Sequence, residues 1–261
     1  MDRRTVLRLM GGAAAALAGP GLGRALSVAA AELPYTVLGF SQGGTPLVVF
    51  HLGSGDTRLF VLGGQHGGPE HNTIVLAGAI LDYYTNNLDQ IPAGAGLDVL
   101  VVANPDGDAI GSRLFLSGVD PNRNWGSSDW QSDTYASNGV FRVGLGGPRP
   151  FSEQETRALR DWLLKTRPFF TINYHSIGGF VFGQSGGRIG DLVQAYVDAS
   201  GYYHPASGGA SRVLGYRTSG TMSVWQREQN LGALFVELGS FGDPELDQNM
   251  AGLRAVIARL V

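Results

Sequence analysis

Arg58-Leu59-Phe60-Val61-Leu62-Gly63-Gly64-Gln65-His66-Gly67-Gly68-Pro69-Glu70 decides how this chain folds. Its apolar start is short and ends in glycine, which predicts a buried strand over residues 58–63. Beyond the glycine turn, Ile74, Ala77, Ile80 and Leu81 recur at helical spacing, so residues 73–84 form a helix with one apolar face. The turn between strand and helix carries a His and a Glu, both able to face one point.

Working outward, residues 35–39 and 47–52 read as strands joined at Ser41-Gln42-Gly43-Gly44, a hairpin. Residues 97–103 form another apolar strand, ended by Asn104-Pro105-Asp106-Gly107. A loop rich in Gly, Ser and Asp then occupies residues 106–150, and so long a loop in a compact domain is usually functional. Ser152 followed by Glu155 is a capping box opening a helix to about Lys165. Residues 169–174 are a strand delivering His175, residues 189–199 a helix, residues 233–238 a strand delivering Glu237, and residues 245–260 a closing amphipathic helix. Strands alternating with helices predict a single-domain α/β fold, a mixed central sheet flanked by helices, over residues 32–261. Such sheets bind ligands beyond the carboxyl ends of their strands, and His66, His175 and Glu237 all fall at or near strand ends.

Composition limits the chemistry. Hydrophobic residues at 43% and charged residues at 16% suit a globular chain and argue against disorder. The net charge is -3, and the mature part is more acidic still once Arg3, Arg4, Arg8 and Arg24 are set aside. No basic patch remains to bind nucleic acid. The chain has no cysteine, which excludes disulfides and thiolate metal sites. Any metal is left to the five histidines and the carboxylates.

The N-terminus reads as an address. Arg3-Arg4 precede Val6 and Leu7, and a small apolar run follows from Leu9 to Leu17. Ala29-Ala30-Ala31 offers a small-residue cleavage site. Residues 1–31 are therefore expected to be a twin-arginine-type export signal, placing the mature protein in the periplasm or outside the cell. The apolar run is shorter than the ~20 residues a span needs, so no stable membrane span is expected after signal removal.

A catalytic zinc site keeps three protein ligands and one position for water. His66 and Glu70 on the turn, with His175 at another strand end, meet that need. Taken singly, each also has a plain structural use: a strand-end His hydrogen-bonds its loop, and a Glu at a helix start favours the dipole. His51, His71 and His204 keep that plain reading, with His71 close enough to stand in for Glu70. Gly183-Gln184-Ser185-Gly186-Gly187 matches a nucleophile elbow. A serine hydrolase of that order needs an acid and then a His downstream, and only His204 follows, 19 residues on. Ser185 therefore reads as part of a glycine-rich turn.

Six motifs in order give the whole a familiar look: Leu62-Gly63-Gly64-Gln65-His66-Gly67, Asn104-Pro105-Asp106-Gly107, Gly118-Val119-Asp120-Pro121-Asn122-Arg123-Asn124-Trp125, Pro150-Phe151-Ser152-Glu153, Tyr174-His175-Ser176 and Phe235-Val236-Glu237-Leu238. From about Leu38 onward the chain resembles zinc carboxypeptidases of the carboxypeptidase A family, in the style of small bacterial members such as murein tripeptide amidase. The resemblance implies one Zn2+ per chain on His66, Glu70 and His175. It implies Glu237 as general base, Arg113 as the group polarising the scissile carbonyl, Asn122 and Arg123 as the grip on a terminal carboxylate, and Tyr216 closing over it. The substrate so implied is a peptide with a free C-terminus or a cell-wall muropeptide. The alternatives that share the fold are an amidase cutting at diaminopimelate, a deacylase, and a non-catalytic carboxylate binder. One feature departs from the family: three residues, Gly67, Gly68 and Pro69, separate His66 from Glu70, where two are usual. Two glycines can absorb the extra residue; otherwise His71 or water takes the ligand's place. Ser223 or Met222 is expected at the base of the specificity pocket, and neither is charged.

Overall fold

A computed structural model describes residues 33–205 and 213–261. The expected export signal over residues 1–31 lies outside the described residues. Nine strands are described: β1 Tyr35–Phe40, β2 Pro46–Leu52, β3 Thr57–Leu62, β4 Ala95–Leu100, β5 Thr134–Tyr135, β6 Phe141–Arg142, β7 Phe170–Ser176, β8 Phe180–Gly183 and β9 Ala233–Leu238. The helices between and after them are α1 His71–Asn86, α2 Pro105–Ala109, α3 Gln154–Thr166, α4 Gly187–Ser200, α5 Met222–Glu228 and α6 Leu246–Ile257.

Seven strands form one mixed sheet in the order β1-β2-β4-β3-β7-β9-β8, and β5 pairs with β6 apart from it. The central strands β4, β3, β7 and β9 run parallel; β2 and β8 run antiparallel to them, and β1, antiparallel to β2, closes the edge in the central direction. The chain leaves β3 for β4 on one side and returns as β7 on the other. That reversal opens a crevice at the carboxyl ends of β3 and β7, where such sheets bind ligands.

Alternation along the strands sorts the two faces. Leu59 and Val61 of β3 with Phe170, Ile172 and Tyr174 of β7 pack against α1, α4 and α6. Phe60 and Leu62 pack on the other face with Leu159 and Leu163 of α3 and Trp225 of α5. The second face of β7 breaks the apolar rule, carrying Thr171, Asn173 and His175, all buried.

Three local expectations change. The capping box does not form: Glu153 is the N-cap of α3 and no side chain caps it. Ser152 Oγ instead donates to Glu153 Oε1 at 2.7 Å, and Glu155 Oε1 accepts from the Gln42 backbone at 2.7 Å. Both side chains hold neighbouring loops, so neither is free to cap. The strand expected over residues 97–103 ends at Leu100 because the Ala103 and Asn104 amides turn back to Gly64 O. The long loop is not structureless: it contains α2, capped by Asn104 Oδ1 accepting from Gly107 N–H at 3.0 Å, and the β5–β6 hairpin.

Candidate metal centre and carboxylate-binding cavity

The turn after β3 has to bring Glu70 back under His66 despite the added residue. Glycine makes that possible. Gly68 sits at φ +56°, in the left-handed region. A Cβ at Gly67 would run into the Asp108 amide, and one at Gly68 into the Gly111 carbonyl. Pro69 then leads through a single 3-10 turn, Gly68–Glu70, into α1. Gly68→Ala is therefore expected to displace Glu70 and lower zinc affinity; unchanged zinc binding by calorimetry in a folded variant would show that the turn tolerates a side chain.

With the turn closed, three donor atoms converge. Glu70 Oε2 lies 3.0 Å from His66 Nδ1 and 3.2 Å from His175 Nδ1, and the two Nδ1 atoms are 3.1 Å apart. Three lone-pair donors this close repel one another unless a cation sits among them. Their triangle is close to one face of a tetrahedron, whose edge for zinc bonds of ~2.0–2.1 Å is ~3.3 Å. Among the described residues this is the one His/Asp/Glu group with ligand geometry. The donor set thus fits zinc, and Glu70 rather than His71 completes it. His71 turns away to Asp108, Nδ1 to Oδ1 2.9 Å.

The surroundings tune these three side chains. His66 Nε2 meets Asp120 Oδ1 at 3.0 Å, which fixes the ring and leaves Nδ1 facing the centre. Burial and then the Arg113 charge lower the His66 pKa to about 4. Burial, with His66 and Arg113, also holds His175 well below the usual range. Both rings are neutral at neutral pH, the form that binds metal. Burial alone would raise Asp120, but Arg113, His66 and Arg123 together hold it well below the usual carboxylate range. Arg113 Nε reaches Asp120 Oδ2 at 3.4 Å, and its NH1 closes on Glu70 Oε1.

Glu237 stands beside His175 in register across β7 and β9. It is 8% exposed, and its Oε2 has no hydrogen-bond partner among the described residues. Burial raises its pKa to about 7, against the opposing pull of Arg113 and Arg123.

A cavity of ≈ 550 Å³ opens from these groups, and Arg113, Asn122, Arg123, His175, Tyr216 and Glu237 all line it. Arg123 is 2% exposed and spends Nε on Tyr135 O at 3.0 Å and NH1 on Asn122 O at 2.8 Å. No carboxylate among the described residues pairs with it. A buried guanidinium without a counter-ion calls for an anion. Asn122 is anchored through Oδ1 to Met222 N–H at 2.9 Å and through its own N–H to Asp120 Oδ1 at 2.8 Å. Ser223 lines the cavity, whereas Met222 is buried in the core behind it. Ser185 is an exposed turn residue between β8 and α4.

The structure thus brings His66, Glu70, His175, Glu237, Arg113, Asn122, Arg123 and Tyr216 together at one crevice. It adds Asp120 and Asn173, to which sequence reasoning gave no role. The legible signal for Asp120 was its place two residues before Asn122 in a Gly/Ser-flanked motif. For Asn173 it was Thr171-Ile172-Asn173-Tyr174-His175, polar residues alternating inside an otherwise apolar strand.

The chain is similar to several known proteins. Murein peptide amidase A of Escherichia coli K12 is 25% identical over 212 residues, covering 78% of this chain and 81% of that protein. Carboxypeptidase B of Astacus astacus is 30% identical over 148 residues, 49% of this chain and 48% of that protein. Among solved structures, bovine thrombin-activatable fibrinolysis inhibitor superposes with a TM-score of 0.74 at 17% identity, covering 91% of this chain and 93% of that one. Murein-tripeptide amidase from Escherichia coli O157 gives 0.66 at 22% identity over 88% and 93%. The sequence model of zinc carboxypeptidases matches residues 33–239, and the chain belongs to that family.

Proposed function

We propose that this metallocarboxypeptidase holds one zinc ion on His66, Glu70 and His175 and cleaves the bond next to a free C-terminal carboxylate, acting on cell-wall peptides outside the cytoplasm. The observation that carries the reading is the triangle of three donor atoms, whose His175 lines a cavity that also holds Arg123, buried with no salt-bridge partner among the described residues. A zinc ion bound there would supply a Lewis acid and an acidified water. Arg123 and Asn122 receive the substrate's carboxylate, and Tyr216 covers it. Arg113 offers its guanidinium to the oxygen that gains charge as the scissile carbonyl is attacked. Glu237 takes the proton from the attacking water and hands it to the leaving amine.

The murein amidases among the relatives favour a cell-wall peptide as substrate, with cleavage at diaminopimelate as the closest variant of the same chemistry. The twin arginines at residues 3 and 4 support export. No helix among the described residues is long and apolar enough to cross a membrane. Zinc-supplied protein incubated with free-carboxylate peptides and muropeptides, with and without chelator, tests the reading by mass. A chelator-sensitive loss of the terminal residue supports it; a chelator-resistant cut removes the metal from the mechanism.

Arg123→Ala is expected to lower kcat/KM on free-carboxylate substrates by roughly 100-fold, the scale of a lost buried charge-assisted contact. Substrates amidated at the C-terminus should change little. Equal loss on both would assign Arg123 to the fold instead of the grip.

A further inference from the structure

Beside the carboxylate grip the same cavity runs against two amides, Asn173 on β7 and Gln226 on α5. They are 3% and 1% exposed. Asn173 Oδ1 and Gln226 Nε2 have no hydrogen-bond partner among the described residues. Buried side-chain amides are nearly always paired, and leaving one dry destabilises a fold. Here two residues that line one cavity each keep one buried amide atom unpaired.

The Asn173 amide cannot simply be turned over. Gln65 Nε2 donates to Pro121 O at 3.3 Å, which turns Gln65 Oε1 toward Asn173, and Asn173 Nδ2 donates to that oxygen at 2.8 Å. This relay leaves the Asn173 oxygen as an acceptor for whatever enters. Gln226 has the opposite character. Its side-chain nitrogen is the atom left without a partner.

We infer that Asn173 and Gln226 are specificity-determining residues, selecting a substrate whose C-terminal side chain ends in a group that both donates and accepts hydrogen bonds, a carboxamide or its chemical equivalent. This rests on the carboxypeptidase reading, because Arg123 must hold the terminal carboxylate for the side chain to enter. An apolar side chain leaves both amides unpaired, and a site built to hydrogen-bond its substrate rejects analogues lacking the group. A lysine ammonium satisfies Asn173 but offers nothing to Gln226. It also enters a cavity lined by three arginines, Arg113, Arg123 and Arg227, against two carboxyl groups, Asp129 and Glu237.

The test uses zinc-supplied protein and free amino acids, which carry the carboxylate and need no turnover. Calorimetry of wild type should show glutamine binding at least tenfold tighter than leucine or lysine. Gln226→Leu removes an unpaired buried amide and should keep or raise the unfolding midpoint while bringing the glutamine-to-leucine ratio to about one. Asn173→Leu, which also strips Gln65 of its donor, should shift the ratio the same way at some cost in stability. Leucine or lysine binding as tightly as glutamine in wild type overturns the inference, as does an unchanged ratio in a folded Gln226→Leu protein. Binding of no amino acid at all overturns the inference together with the carboxylate grip beneath it, whereas binding without discrimination leaves the grip standing.

Discussion

Glu237→Gln is expected to lower kcat by roughly 100- to 10,000-fold, the range a positioned general base contributes, with zinc content unchanged. Glutamine keeps the shape of the side chain and its place beside His175, and removes only the proton-accepting oxygen. The pH profile adds a second readout. Glu237 serves as a base only when ionised, so kcat/KM should rise with pH through its pKa. Burial sets that pKa at about 7, and a cation bound at the triangle pulls it lower, so the acid limb should fall at or below pH 7. Residual activity of the variant should lack that limb. Stability runs the other way. A carboxyl whose pKa is raised on folding stabilises the native state at low pH, and that contribution disappears as pH rises through its folded value. Above pH 7 the Gln variant should therefore be at least as stable as wild type. A folded variant that keeps its activity would remove Glu237 from the role of base.

His175→Ala should strip the metal. Losing one of three protein ligands is expected to cost more than the ~10- to 100-fold lost on removing a group that only hydrogen-bonds a ligand. Zinc content after dialysis reports this directly. Full occupancy in the variant would move the site elsewhere. The folded state should survive, because the alanine sits at the sheet's carboxyl end and leaves the packing of Ile172 and Tyr174 on the opposite face intact.

The fold was legible where burial and periodicity agree. β9 begins and ends where the run from Ala233 to Leu238 does, and β3 and α1 fall within two residues of the apolar run and the helical stripe that announced them. The capping box was misread because local pattern competes with long-range demand. Ser152 and Glu155 have the right spacing, but Asn124 and Gln42, brought in from elsewhere in the chain, claim their side chains first. The site was legible from its reactive residues and much less so from their supports. His66, His175 and Glu237 end recognisable strands, whereas Asp120 and Asn173 acquire meaning only once the sheet has set what each faces. Whether Glu70 could bridge one extra residue was a question of backbone angles and clearances, which no spacing rule contains. Gly67 and Gly68 answer it by packing against Asp108 and Gly111 with no room for a side chain.

The parallel pairing of β3 with β7 also sets an order of events in folding. It joins Leu59 to Phe170 and Leu62 to Asn173, and it carries His66 Nδ1 to within 3.1 Å of His175 Nδ1 across 109 positions of sequence. Contacts of such separation form late, because the chain must close a long loop before they repay it. Half of the proposed site, His66 with Glu70, is local and is expected with the first βα unit; His175 is expected to join only with the second half of the sheet. On the proposed ligand set, zinc capture at full affinity would be a chemical clock for completion of the central sheet, and the rate at which refolding protein takes up the ion would measure when that sheet closes.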